Sequence, residues 1–454
     1  MRKYFGTDGI RGEANRELSA DLAMRLGYAL GYYLKKNNPD KKKIKVIMGS
    51  DTRISGYMLR SALTAGLNSM GINIDFVGVI PTPGVAYITQ VKEAEAGIMI
   101  SASHNPAKDN GIKIFGKDGC KLPDEIEEEL EGYMDSLEEI TKNPIAGDEL
   151  GKFKYAQDDY FLYRDHLKSI VKGDFSGMKI ILDAANGSAY RAAKDVFLSL
   201  GAEIVVINDA PNGTNINVKC GSTHPEILSK VVVGYEADLG LAYDGDADRL
   251  IAVDKNGNIV DGDKIIATLA VEMKKKNLLN GNRVVTTVMS NMGLESFLNE
   301  NGIVLVRANV GDRYVLEKMK LQGLNLGGEQ SGHIIMLDYG TTGDGIQTSL
   351  KLVETLRDSG KSLDEIVEKI KDWPQILINV RAKDNSAKNS WSSNKKIENV
   401  ILEKEKEMAS QGRVLVRTSG TEPIVRVMVE GKDGEMVKTV SYTHLRAHET
   451  DSYL

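Results

Sequence analysis

A chain of 454 residues exceeds what one hydrophobic core ordinarily serves, and its 41% apolar and 27% charged residues are those of an ordinary soluble protein of several domains. A net charge of −6 argues against a nucleic-acid surface, and no uninterrupted apolar run reaches membrane-spanning length, so neither nucleic acid nor membrane is an expected partner. The two cysteines, Cys120 and Cys220, lack metal-ligand spacing, and with no apolar leader at the N-terminus a cytoplasmic location is expected.

In chain order, Ile44–Met48 predicts a strand, Tyr57–Met70 a helix, Ile72–Val77 a strand and Ala96–Ile100 a further buried strand. Met178–Asp183, Ala189–Leu200 and Ala202–Ile207 repeat strand, helix and strand, and Leu239–Tyr243 and Leu250–Val253 flank a short polar loop. This alternation predicts α/β domains with mixed, mostly parallel sheets covered by helices. Breaks near Asn143–Gly151, Asp254–Gly257 and Trp373-Pro374 place domains at residues 1–150, 151–253, 254–370 and 371–440, followed by an atypical segment at 441–454. No sequence repeat is visible among the first three.

Four polar loops carry the chemistry. Ala96–Ile100 empties into Ser101-Ala102-Ser103-His104-Asn105-Pro106, and a hydroxyl at the mouth of a strand is where α/β enzymes place reactive groups. Asp244, Asp246 and Asp248 alternate in the next loop and repel one another unless a cation lies between them; their hard oxygens favour Mg²⁺ or Ca²⁺. An EF-hand is excluded, because its sixth position would be Arg249 instead of glycine and its twelfth Lys255 instead of glutamate. In the third loop, Gly327 to His333, an extended backbone would project Glu329, Ser331 and His333 from one face, a set suited to a polyhydroxylated or amino substrate. The fourth, Arg417-Thr418-Ser419-Gly420-Thr421-Glu422-Pro423, combines a guanidinium fork, hydroxyls and a glycine that lets backbone N–H groups approach, which favours phosphate. It precedes a strand at Ile424–Val429.

With the opening Arg2-Lys3-Tyr4-Phe5-Gly6-Thr7-Asp8-Gly9-Ile10-Arg11-Gly12, these loops, in this order and spacing, resemble the phosphoglucosamine mutase family of the bacterial α-D-phosphohexomutases, to about residue 440. The resemblance implies a four-domain α/β architecture: three similar mixed-sheet domains and a smaller C-terminal α+β domain around a central cleft. It implies that Ser103, the serine immediately before His104, carries a phosphoryl group, and that Asp244, Asp246 and Asp248 hold one Mg²⁺ per subunit with it. The sugar would meet Glu329, Ser331, His333, His104 and Asn105, and the non-reacting phosphate would meet Arg417, Ser419, Gly420 and Thr421. Arg249 would stabilise the transferring group, while Lys113, Arg11 and His333 would stand near the reacting oxygens. His104 itself is expected to face away from Ser103, since neighbouring side chains on extended backbone point opposite ways.

The implied reaction interconverts glucosamine 6-phosphate and glucosamine 1-phosphate through a 1,6-bisphosphate that turns over in the site, with glucosamine or glucose 1,6-bisphosphate as activator. Its product would feed UDP-N-acetylglucosamine synthesis. Alternatives are a phosphoglucomutase or phosphomannomutase, a phosphatase, and a non-catalytic sugar-phosphate sensor on the same fold. The oligomeric state stays open, a homodimer being one assembly the resemblance allows. The family closes its last domain with an amphipathic helix, a pattern absent from residues 441–454, which therefore read as a non-native segment.

Overall fold

Connection length decides how the strands pair. Ile44–Ser50 lies between Ile72–Val79 and Ala96–Ile100, parallel to both, because each return crosses over through a helix, Gly56–Ser69 and then Thr82–Val91. Ala96–Ile100 turns back through a short loop, so Asp109–Gly116 pairs with it antiparallel. Ile10–Glu13 and Phe153–Tyr155 add the two edges of this six-stranded sheet. This computed structural model describes residues 3–6, 8–381, 395–418 and 424–441.

The same plan recurs twice. Lys179–Asp183 is parallel to Glu203–Ile207 and to Leu239–Tyr243, which turns back into Leu250–Asp254. Arg283–Thr287 is parallel to Val304–Ala308 and to Leu326–Gly328, which turns back into Ile334–Met336. A similarity that no residue pattern betrays is therefore plain in strand order and polarity. It also fixes where the chemistry sits: residues 101–108, 244–249 and 329–333 are each the turn between the third and fourth strand of this shared plan.

The sheets run across two expected domain limits. Phe153–Tyr155 pairs with Ile72–Val79 and belongs to the first sheet, beyond residue 150. Ile259–Val260 pairs with Leu250–Asp254, so Asp254–Gly257 is a hairpin turn inside the second sheet instead of a linker. By packing, the chain divides into two units, Met1–Met289 with Gly302–Glu368, and Ser290–Asn301 with Lys369–Leu454. The helix Met292–Glu300 thus goes with the second unit, although it lies between two strands of the third sheet in sequence.

In the first unit, helices Ala20–Asn37 and Gly56–Ser69 pack on the first sheet through Leu26, Leu30, Leu59 and Leu63, all fully buried with Val46 and Ile98. Their backbones approach closely: a Cβ at Gly66 would lie 2.4 Å from the Met24 carbonyl oxygen, and one at Gly27 2.7 Å from that of Leu63. Gly66→Ala is expected to destabilise the fold by about 1–3 kcal/mol, the range for overpacking, read as a lowered melting temperature. An unchanged melting temperature would mean that the two helices separate freely.

The second unit is α+β. Gln375–Arg381, Ile424–Gly431 and Gly412–Thr418 form an antiparallel sheet in that order, with the helix Lys395–Met408 and a short helix at 434–441. Met408, Val414, Val427, Val429, Val437 and Val440 form its core. Ser441 ends that helix, its hydroxyl donating to the Val437 carbonyl at 2.7 Å, and residues 442–454 lie outside the described set. No helix among the described residues is long and apolar enough to cross a membrane.

Candidate active site

Ser103 follows Ala96–Ile100 with φ +52, in the left-handed region that favours glycine. Its N–H donates to Ser101 Oγ (3.0 Å), and its hydroxyl donates to Asp244 Oδ2 (2.5 Å) in the metal loop. This left-handed turn corrects the expectation for His104. Because the backbone is not extended there, the two neighbouring side chains converge, and His104 Nδ1 lies 3.4 Å from Ser103 Oγ. Burial, with the charges of Arg249 and Arg11, pushes that imidazole down to about 4, so it is neutral at pH 7. Asn105 turns its amide back onto Asp109 Oδ2 (3.0 Å), closing the loop instead of lining the cavity.

Asp244, Asp246 and Asp248 occupy the hairpin turn after Leu239–Tyr243, with carboxylate oxygens within 4.8 Å of one another and every residue buried. Asp246 Oδ2 accepts from Thr82 Oγ1 (2.6 Å) and Lys113 Nζ (2.8 Å), while Asp246 Oδ1 and Asp248 Oδ1 are buried without a hydrogen-bond partner among the described residues. Burial, then the neighbouring Asp248 and Asp246, hold the Asp244 carboxyl well above the usual carboxylate range. Converging hard oxygens with orphaned lone pairs fit a divalent cation such as Mg²⁺. Thr82→Val removes the hydroxyl that orients Asp246, and is expected to weaken Mg²⁺ binding about tenfold by isothermal titration. Unchanged affinity would show that Thr82 does not orient the ligand.

Lys113 is almost wholly buried, its ammonium 2.8 Å from Asp246, 3.1 Å from Asp8 and 3.5 Å from Asp248. Burial opposes its charge, but these carboxylates outweigh it and keep the amine above the ordinary lysine range. Lys113 therefore stands as a fixed counter-charge in this state. Asp8 also pairs with Arg11 and Lys121, and Lys121 reaches Asp312 at 2.5 Å.

The third loop is a reverse turn, which corrects the extended reading. Glu329 N–H donates to the His333 carbonyl and Gly332 N–H to that of Glu329, both at 3.0 Å, with Gly332 at φ +91. Ser331 is consequently exposed and off the cavity wall, whereas Glu329 and His333 line a cavity of about 520 Å³ with Ser103, His104, Arg11 and Arg249. A β-bridge between Arg249 and His333 ties this turn to the metal loop. His333 Nδ1 lies 3.6 Å from Asp248 Oδ2, and Nε2 accepts the Gly343 N–H (3.2 Å) with Asp312 Oδ2 3.5 Å away. Burial lowers the imidazole, yet Asp248 and Asp312 prevail and raise it above the ordinary histidine value. Arg11 Nε and Arg249 Nε are buried without a hydrogen-bond partner among the described residues, Arg249 Nε standing 3.8 Å from Asp248 Oδ1, so two guanidinium groups in the cavity wall retain donors that an anionic ligand could take.

In the second unit, Arg417 lies directly opposite Arg426 on the neighbouring strand. Burial, then the charge of Arg426, lowers Arg417, and its Nε has no hydrogen-bond partner among the described residues. Like charges set directly opposite one another repel. Ser419, Gly420 and Thr421 lie outside the described residues. Sequence reasoning misses Thr82, Lys121, Asp312 and Arg426. Only Arg426, alternating with Val425 and Val427 in a strand beside a phosphate-like loop, carries a readable signal.

Profiles of the phosphoglucomutase/phosphomannomutase α/β/α domains I, II and III match residues 2–141, 161–257 and 261–373, and that of the C-terminal domain matches residues 377–441. A phosphoglucosamine mutase of Fusobacterium nucleatum is 70% identical over 437 residues, covering 96% of each chain. One from Clostridioides difficile is 51% identical over 444 residues, covering 97% of each. Among solved structures, a phosphoglucomutase/phosphomannomutase family protein of Burkholderia thailandensis superposes with a TM-score of 0.81 at 24% identity, covering 98% of both chains.

Proposed function

The chain belongs to the phosphoglucomutase/phosphomannomutase family and is a mutase enzyme, and on that premise we propose that it interconverts glucosamine 6-phosphate and glucosamine 1-phosphate with Ser103 as phosphoryl carrier. The observation that carries this reading is the Ser103 hydroxyl, 2.5 Å from Asp244 at the wall of a cavity that also holds the open donors of Arg11 and Arg249.

As phosphoserine, Ser103 would hold about −1.5 to −2 charge at neutral pH. Mg²⁺ held by Asp244, Asp246 and Asp248 would supply Lewis-acid neutralisation of the phosphoryl oxygens. Arg249 and Arg11 offer N–H groups to those oxygens, and phosphoryl transfer depends chiefly on such positioning and charge offset. Neutral His104, 3.4 Å from Ser103 Oγ, can hydrogen-bond that oxygen as it leaves phosphorus. Glu329 presents a carboxylate to the amino or hydroxyl groups of the sugar, with His333 beside it. The sugar C1 oxygen attacks phosphorus as the Ser103–phosphorus bond breaks, giving the 1,6-bisphosphate; after reorientation, Ser103 Oγ takes the other phosphoryl group and releases the 1-phosphate. Added glucosamine or glucose 1,6-bisphosphate restores phosphoserine whenever the intermediate escapes. Arg417, with Ser419, Gly420 and Thr421, is assigned the phosphate that is not reacting.

The test is a coupled assay with glucosamine 6-phosphate, Mg²⁺ and catalytic glucose 1,6-bisphosphate. Formation of glucosamine 1-phosphate, faster than with glucose or mannose phosphates and without matching release of free phosphate, is expected. Preference for glucose or mannose phosphate would move the assignment to the sister activities, and phosphate release without isomerisation would make the protein a phosphatase.

A further inference from the structure

Two side chains that no motif marks hold the carbonyls of the Ser103 loop, and we propose that Arg53 and Asn217 are positioning residues that register Ser103 on the metal loop for phosphoryl transfer. This rests on the reading of Ser103 as phosphoryl carrier. Arg53 follows the strand Ile44–Ser50 and is 2% exposed. All the N–H groups of its guanidinium are engaged. Nε donates to Asp51 Oδ2 (2.8 Å), one terminal nitrogen to the carbonyls of Pro106 (2.5 Å) and Asp109 (3.1 Å), and the other to those of Ser103 (2.9 Å) and Asn105 (2.8 Å). A role limited to pairing with Asp51 would leave the terminal nitrogens free to point elsewhere. Here they bracket the loop that carries the serine.

Asn217 meets two of the same carbonyls from the second sheet, in the connection between Glu203–Ile207 and the helix Glu226–Gly234. Its Nδ2 lies 2.9 Å from the Ser103 oxygen and 3.1 Å from the Asn105 oxygen. On the other side, Ser103 N–H donates to Ser101 Oγ (3.0 Å), and Ser101 is tied to Asp51 (2.6 Å). Both backbone groups of Ser103 are thus fixed, which is the condition for a serine to persist at φ +52. The metal loop packs onto the same point: a Cβ on Gly245 would lie 2.5 Å from the Ser103 carbonyl oxygen and 2.9 Å from Asn217 Nδ2. Arg53 from the first sheet and Asn217 from the second therefore set the peptide plane after Ser103, and with it the hydroxyl beside Asp244.

The experiment compares the parent with Asn217→Ala, Asn217→Asp and Arg53→Lys, all with Mg²⁺. Single-turnover transfer from glucose 1,6-bisphosphate to Ser103 is followed by intact mass per folded molecule, beside KM for glucosamine 6-phosphate and the melting temperature. The transfer rate is expected to fall about 100-fold in Asn217→Ala, the loss that follows a displacement near 1 Å. It should fall further in Asn217→Asp, whose carboxylate would face two carbonyl oxygens, with KM unchanged in both. Lysine cannot reproduce the fork, so Arg53→Lys should lose rate likewise; if it does not fold, the Asn217 pair decides. Transfer at the parent rate in both Asn217 variants would overturn the proposal, as would a loss explained by unfolding alone. A parent that isomerises sugar phosphates without phosphorylating Ser103 would instead remove the reading beneath it.

Discussion

Ser103→Ala is expected to lower sugar-phosphate interconversion about 10⁴-fold or more while the protein stays folded. Alanine keeps the Cβ, so the left-handed backbone persists, with the bonds its carbonyl accepts from Arg53 and Asn217 and the one its N–H donates to Ser101 Oγ. Only the hydroxyl that faces Asp244 is lost. Assay of glucosamine 1-phosphate formation beside thermal unfolding separates the two effects. Residual turnover within tenfold of the parent would mean that another group carries the phosphoryl, and a collapsed melting curve would mean that the hydroxyl is structural.

The second large effect is expected at Lys113. Its buried ammonium is the counter-charge shared by Asp246, Asp8 and Asp248, at 2.8 to 3.5 Å. Lys113→Met leaves these carboxylates without it, and removing one partner of a buried ion pair ordinarily costs about 3–5 kcal/mol. Activity should fall about 10²- to 10³-fold, because Asp246 and Asp248 lose the counter-charge that holds them in place beside the cation site. Mg²⁺ can replace part of the missing charge, so it should raise the melting temperature more in the variant than in the parent. An equal Mg²⁺ response in both would show that Lys113 and the cation site are not electrostatically linked.

Legibility in the sequence follows from how local the chemistry is. Asp244, Asp246 and Asp248 announce a cation site because their mutual repulsion is written within five consecutive residues, and the structure keeps them together. The strands are equally legible, since Ile44–Ser50, Ala96–Ile100 and Leu239–Tyr243 are short apolar runs between turn residues. Three features are not. The orientation of His104 depends on φ +52 at a serine, a conformation that residue type announces only for glycine or asparagine. Asp254–Gly257 has the composition of both a linker and a hairpin turn, and only its pairing into Ile259–Val260 tells which it is. Arg53, Thr82 and Asn217 are ordinary polar residues, distant in sequence from the atoms they hold, so their roles exist only in the tertiary arrangement. Ser331 falls between these cases: Gly332, at φ +91, is the one hint that the loop reverses instead of extending.

The central claim is that Ser103 is the group through which phosphate passes. The most direct measurement is phosphopeptide mapping by mass spectrometry after incubation with glucose 1,6-bisphosphate and Mg²⁺, followed by a chase with unlabelled glucosamine 6-phosphate. The account predicts one phosphoryl group per chain, located on Ser103 and discharged to the sugar by the chase. Phosphate on another residue, or phosphate on Ser103 that the chase leaves in place, would contradict it.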